Sequence, residues 1–253
     1  MKRDDDLFIG WAPPLARTRR GFLAGAAAAT AAGAGVAAAL AMAQGPPGDG
    51  RWAQGDVREW TGLLERAPYP ALRTRALDAA GGVRTAFLAG QGKVAVARRL
   101  PDGLSGAVTV RASLIARGRH AMLAAVDDAD WIRPAAEDAG ALAAPAAADL
   151  GEATLIGEIL DAKCWFGAMR PGYGKTHKSC AALCARGGLP LAFCARAACR
   201  DGGDAPLFLD PGGAAHDGAI LPWVADPVMA RGRLVQVGDV LQFRVARSAI
   251  QRL

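Results

Sequence analysis

The sequence predicts an all-β chain, mainly strands with one short helix, arranged as two small OB-like barrels in tandem. Three observations carry this. Short β-type runs recur along residues 57–253, separated by Gly- and Pro-rich turns. The two halves end alike: a shift of 120 residues lays Val108 on Val228, Arg111 on Arg231, Leu114 on Leu234, Gly118 on Gly238 and Leu123 on Phe243. A single helix-like segment interrupts the second half between strands. About five strands with one inserted helix is the plan of a small OB-type barrel.

Residues 1–43 read as an export signal. Thr18-Arg19-Arg20-Gly21-Phe22-Leu23 is a twin-arginine pattern, followed by an Ala/Gly-rich apolar stretch over 24–43. Ala41-Met42-Ala43 offers a small-x-small cleavage site before Gln44. The segment resembles a Tat signal, with Arg19, Arg20, Phe22 and Leu23 as its recognised residues. The plainer alternative is an inner-membrane anchor, since about 20 apolar residues span a bilayer. Alanine and glycine give little insertion energy, which favours cleavage. Either way, the rest of the chain is expected in the oxidising periplasm, touching membrane only through an uncleaved signal.

Residues 44–56 are rich in Gly and Pro and read as a flexible tether. The first β-domain follows over 57–133, with strands expected at 58–64, 85–88, 93–97, 107–116 and 121–126. Residues 67–70 form a turn or extended segment between them. Residues 134–150 are nearly all Ala, Pro, Gly and acidic residues and read as a linker with little to bury. The second β-domain covers 151–253. Its strands are expected at 153–160, 190–194, 206–209, 227–235 and 240–245.

The formal charge is +6, of which residues 1–43 hold a net +2. No concentrated basic stripe stands out beyond them, so nucleic acid is not an expected partner. The chain has no G-x-S-x-G elbow, P-loop, H-E-x-x-H, C-x-x-C-H or post-strand G-x-G-x-x-G. These absences point away from an enzyme.

The chemistry is concentrated in the second half. Cys164 ends a strand-like run, and His177, Cys180 and Cys184 follow at i, i+3 and i+7 of the short helix. At 100° per residue, Cys184 falls about 20° and Cys180 about 60° from His177, so the three share one face. Three thiolates and an imidazole are a complete set for zinc. Soft sulfur also suits Cu(I) or an iron–sulfur cluster. Two other readings stay open. Five cysteines leave at least one unpaired. Cys164 could bridge Cys180 or Cys184 but not both, and Cys194 could bridge Cys199 across a loop. A reactive thiol is the third reading, because Lys163, Lys175, His177 and Lys178 set positive charge around the cysteines. Met169 reads as packing, and His120 and His216 as surface loop residues.

Two stretches carry a resemblance: Asp161-Ala-Lys-Cys164, and Gly174-Lys-Thr-His177-Lys-Ser-Cys180-Ala-Ala-Leu-Cys184 with Gly187-Gly188-Leu189-Pro190 after it. Residues 157–245 resemble a type of exported bacterial domain with this D-x-K-C … G-K-x-H-K-x-C-A-x-x-C signature and no assigned activity. Pro68-Tyr69-Pro70 and Gly90-Gln-Gly-Lys93 resemble its companion domain. The resemblance implies a barrel-like exported domain with a Cys/His loop; Cys194 and Cys199 fall outside it. The sequence thus points to an exported accessory protein that holds a metal or redox centre and docks on a periplasmic or membrane-bound protein. The alternative is a disulfide-stabilised binding module.

Overall fold

A computed structural model describes residues 19–43, 49–136, 140–195 and 203–253. The chain divides into two units, Met1–Pro46 and Pro47–Leu253. In the first, helix α1 spans Arg19–Ala43 and contains Arg19, Arg20, Phe22 and Leu23. Its residues Gly21–Met42 are exposed throughout and are long and apolar enough to cross a membrane.

The second unit holds two closed five-stranded barrels. The first contains β1 (Arg51–Glu65), β2 (Ala71–Thr74), β3 (Arg84–Ala89), β4 (Ala107–Arg117) and β5 (His120–Ala125). They join in the order β1-β2-β3-β5-β4 and close through β4 back onto β1. The second contains β7 (Ala148–Asp161), β8 (Leu191–Ala195), β9 (Leu207–Leu209), β10 (Pro227–Val237) and β11 (Val240–Arg244). Its order is β7-β8-β9-β11-β10, closing through β10 onto β7. In each barrel the third and fifth strands run parallel and the other pairs antiparallel. A short strand flanks each fourth strand: β6 (Ile132–Pro134) on β4, and β12 (Ile250–Arg252) on β10. This is the tandem OB-like arrangement the sequence predicts.

The offset of 120 is physical. Strands β4 and β10 both have 11 residues, and their hairpins turn at Gly118 and Gly238. Those glycines have φ of 52° and 57°, the left-handed region that disfavours a Cβ. The barrels differ most between their first and second strands. Residues 66–70 make that connection in the first barrel, whereas residues 162–190 make it in the second and carry helix α2 (Lys178–Arg186).

Four elements depart from the sequence expectation. Strand β1 begins at Arg51, inside the expected tether, because Arg51 and Trp52 pair with Ala116 and Ile115 before a bulge ahead of Val57. Residues 93–97 alternate like a strand but form a loop, folded back by Gly90 N–H donating to the Val94 carbonyl at 2.9 Å. Strand β2 was hidden behind the prolines of 68–70. Strand β7 also starts at Ala148, within the stretch read as linker, where Ala148 pairs with Gln236.

Period-two alternation sorts the core. Ala86, Leu88, Val108, Val110 and Leu123 fill the first barrel with Trp60 and Trp131. Ile159, Phe193, Phe208, Val228 and Phe243 fill the second. The outward face of the first barrel, with Phe87, Ile115 and Met122, buries against Leu160, Trp165, Phe166 and Leu189 of the second. Strands apolar on both faces therefore serve two cores at once.

Candidate functional site

The site is built on the long connection of the second barrel. Strand β7 ends at Asp161, which is fully buried. Its Oδ1 accepts from the Cys164 N–H at 2.8 Å, and its Oδ2 lies 2.9 Å from His177 Nε2. One carboxylate thus fixes both the turn that starts the connection and the residue that caps α2. The turn, Cys164–Ala168, is a single π-helical turn. Farther along, Glu158 Oε2 accepts from Gly174 N–H at 2.8 Å, and Lys178 Nζ reaches Asp226 Oδ1 at 2.5 Å.

These anchors turn the inner face of α2 toward Cys164. The sulfurs of Cys164, Cys180 and Cys184 all lie within 4.8 Å of one another, with Cys164 and Cys180 at 3.7 Å. All three are free thiols; Cys164 and Cys184 are buried and Cys180 is half-buried. Donor atoms of Asp161, Cys164 and His177 form a second group within 4.8 Å. The Cys/His cluster is therefore two groups that share Cys164, with His177 oriented by Asp161. A hydrogen bond with Cys184 and burial push the Cys164 thiol up.

The first barrel completes the site. Lys163, buried beside Cys164, donates to the carbonyls of Gly90, Gln91 and Gly92 at 2.6, 2.9 and 2.7 Å. The ring of Trp52 lies 5.0 Å from the same ammonium. Burial pushes Lys163 down. The next residue of that loop, Lys93, extends over α2 and donates to Cys180 Sγ at 2.6 Å. That hydrogen bond pushes Lys93 up. Ala95 N–H then donates to the Gly187 carbonyl at 2.9 Å. The loop lies so close that a Cβ on Gly187 would stand 1.9 Å from the Lys93 carbonyl oxygen.

The other expected residues fall elsewhere. Cys194 is buried on β8 and is not among the free thiols. Its expected bridge lies outside the described residues, because Cys199 does. Of the lysines expected to charge the thiols, Lys163 is committed to carbonyls and Lys178 to Asp226, and Lys175 is exposed. Met169 is exposed. His120, expected at the surface, is largely buried between the barrels, stacked on Phe166 at 5.2 Å and edge-on to Trp165 at 5.3 Å. Sequence reasoning missed Lys93, Trp52 and the anchoring role of Asp161; the D-x-K-C spacing was the one local signal for the last.

Compared with known proteins, the chain matches no family model, no curated protein and no solved structure.

Proposed function

We propose that the chain is a Tat-exported periplasmic accessory protein that holds a soft metal ion or redox centre between its two barrels. The observation that carries this is three free thiols converging within 4.8 Å, two of them buried. An exported chain has little reason to keep three adjacent thiols reduced unless they are occupied. Bound metal is one such occupant, and zinc, Cu(I) and iron–sulfur chemistry all use thiolates. Export rests on the Arg19-Arg20 pair at the head of an apolar helix. A periplasmic or membrane-bound protein is the expected partner of such an accessory.

One observation favours a second reading. Cys164 and Cys180 sulfurs at 3.7 Å need only a small approach to close a disulfide, which would leave Cys184 free and the chain a stabilised binding module. Elemental analysis with a thiol count on natively exported protein tests the pair. Metal near one equivalent, lost in both Cys180→Ser and Cys184→Ser, supports the centre. No metal, with Cys180→Ser losing about 2–5 kcal/mol and Cys184→Ser nearly silent, overturns it in favour of the disulfide. Replacing Arg19 and Arg20 with Lys is expected to leave the protein in the cytoplasm; normal periplasmic recovery would remove the Tat assignment.

A further inference from the structure

We infer that the ion held by Cys164, Cys180 and Cys184 is monovalent copper, Cu(I), in a three-sulfur shell whose charge is met by Lys93 and Lys163. The inference rests on the metal-centre reading above and deepens it.

The donor set decides first. Structural zinc takes four ligands. Among the described residues, the other His, Asp or Glu side chains grouped with one of these thiols are Asp161 and His177, beside Cys164. Both are committed. Asp161 uses one oxygen for the Cys164 N–H and the other for His177 Nε2. Neither belongs to the three-sulfur group: their donor atoms cluster with Cys164 but not with Cys180 and Cys184. Three sulfurs remain: structural zinc would lack its fourth protein ligand, whereas soft thiolate sulfur suits Cu(I).

Charge decides second. Three thiolates around a monovalent ion carry a net charge of −2, and such a charge is costly beside a buried core unless it is matched. The site supplies two ammonium groups. Lys163 donates to three separate carbonyls, which only the –NH3+ form with its three donors can do. Lys93 donates to Cys180 Sγ from the solvent side. Neither can act as a metal ligand while it keeps its protons, so both serve as countercharges. Lys93 and the carbonyls of residues 90–92 belong to the first barrel, so the second barrel alone would hold the sulfurs and Lys163 without the Lys93 charge or the carbonyls that fix Lys163. The half-buried Cys180, under Lys93, is the sulfur open to ligand exchange with the periplasm.

The test uses the full mature chain, reduced and kept anaerobic. It is titrated with Cu(I) buffered by a chromophoric chelator, and separately loaded with Zn(II) and then challenged with one equivalent of Cu(I). X-ray absorption reads the metal shell. The expected result is one Cu(I) per chain, three sulfur neighbours with no nitrogen, and full displacement of Zn(II). Lys93→Met is expected to weaken Cu(I) binding about tenfold, the scale of one unit charge at a solvent-facing edge. A nitrogen in the wild-type Cu(I) shell, more than one Cu(I) per chain, or unchanged affinity in Lys93→Met overturns the inference. So does Zn(II) that one equivalent of Cu(I) fails to displace, although the metal-centre reading would then survive. Binding of neither ion to fully reduced chains removes both.

Discussion

Lys163 gives each of its three ammonium hydrogens to a different carbonyl of residues 90–92, at 2.6–2.9 Å. Lys163→Met keeps the apolar stem but leaves those carbonyls facing an uncharged side chain. We expect a loss of about 3 kcal/mol, read by urea unfolding at pH 7. Lys163→Arg should not rescue it, because a planar fork cannot converge on three successive carbonyls. A loss under 1 kcal/mol would mean that the latch is not structural. His120 supplies a pH dependence. Burial drives its pKa down from 6.5 to about 4, and the Asp204 carboxylate at 3.3 Å opposes this only in part. The unfolded chain therefore takes up a proton at a higher pH than the folded one. Its stabilising contribution is full above pH 6.5 and is lost as pH falls toward 4, by about 3 kcal/mol in all. His120→Gln should flatten the acid limb of the stability curve in that window. An unchanged limb would assign acid sensitivity to other groups.

At the scale of elements, the connection over residues 162–190 and the loop over 90–95 form one device, and Gly187 is where they touch. With φ −74°, Gly187 is in ordinary helical conformation, so Gly187→Ala is opposed by space alone. The new methyl would meet the Lys93 carbonyl and push the loop outward. We expect a cost of about 1–3 kcal/mol and faster reaction of Cys180 with a thiol reagent as Lys93 withdraws. Destabilisation without a change in thiol reactivity would separate the loop from the site. Both hairpins were legible in the sequence because their strands repeat at one offset and turn on glycine. The sulfur cluster was legible because Cys180 and Cys184 sit close in sequence on one short helix. Strand β2 was not, being four residues long and containing Arg73. Nor was Lys93, which lies 87 residues from the sulfur it meets. Such a contact is set by how the barrels pack, and no local periodicity encodes it. Residues 93–97 show the converse: a strand-like alternation was overruled because one side chain faces the thiols while Val96 buries in the first barrel.

For the whole molecule, the shared core decides whether the halves are independent. The first barrel turns Tyr69, Phe87, Ile115 and Met122 outward, and each is buried because the second barrel covers it. Asp239, in the turn of the second barrel's hairpin, accepts from the Thr85 backbone N–H at 2.8 Å and from its hydroxyl at 2.6 Å. Exposing four large side chains costs roughly 1.5–3 kcal/mol each, so roughly 6–12 kcal/mol in all. That is comparable to the whole stability of an ordinary domain, about 5–15 kcal/mol. Pieces ending near residue 136 and starting near residue 140 should therefore not stand alone, even though the stretch between them has little to bury. Expressed separately, they are expected to aggregate or to show the exposed apolar surface of a loosely packed state. Mixed after refolding together, they should recover one stable complex. The intact chain from residue 49 onward should unfold in a single transition, with tryptophan fluorescence and far-ultraviolet circular dichroism coinciding. Trp60 and Trp131 report on the first barrel's own core, and Trp165 on the shared one. Two separated transitions, or a soluble and cooperatively folded piece from either side, would show that the shared core contributes far less than its buried area implies.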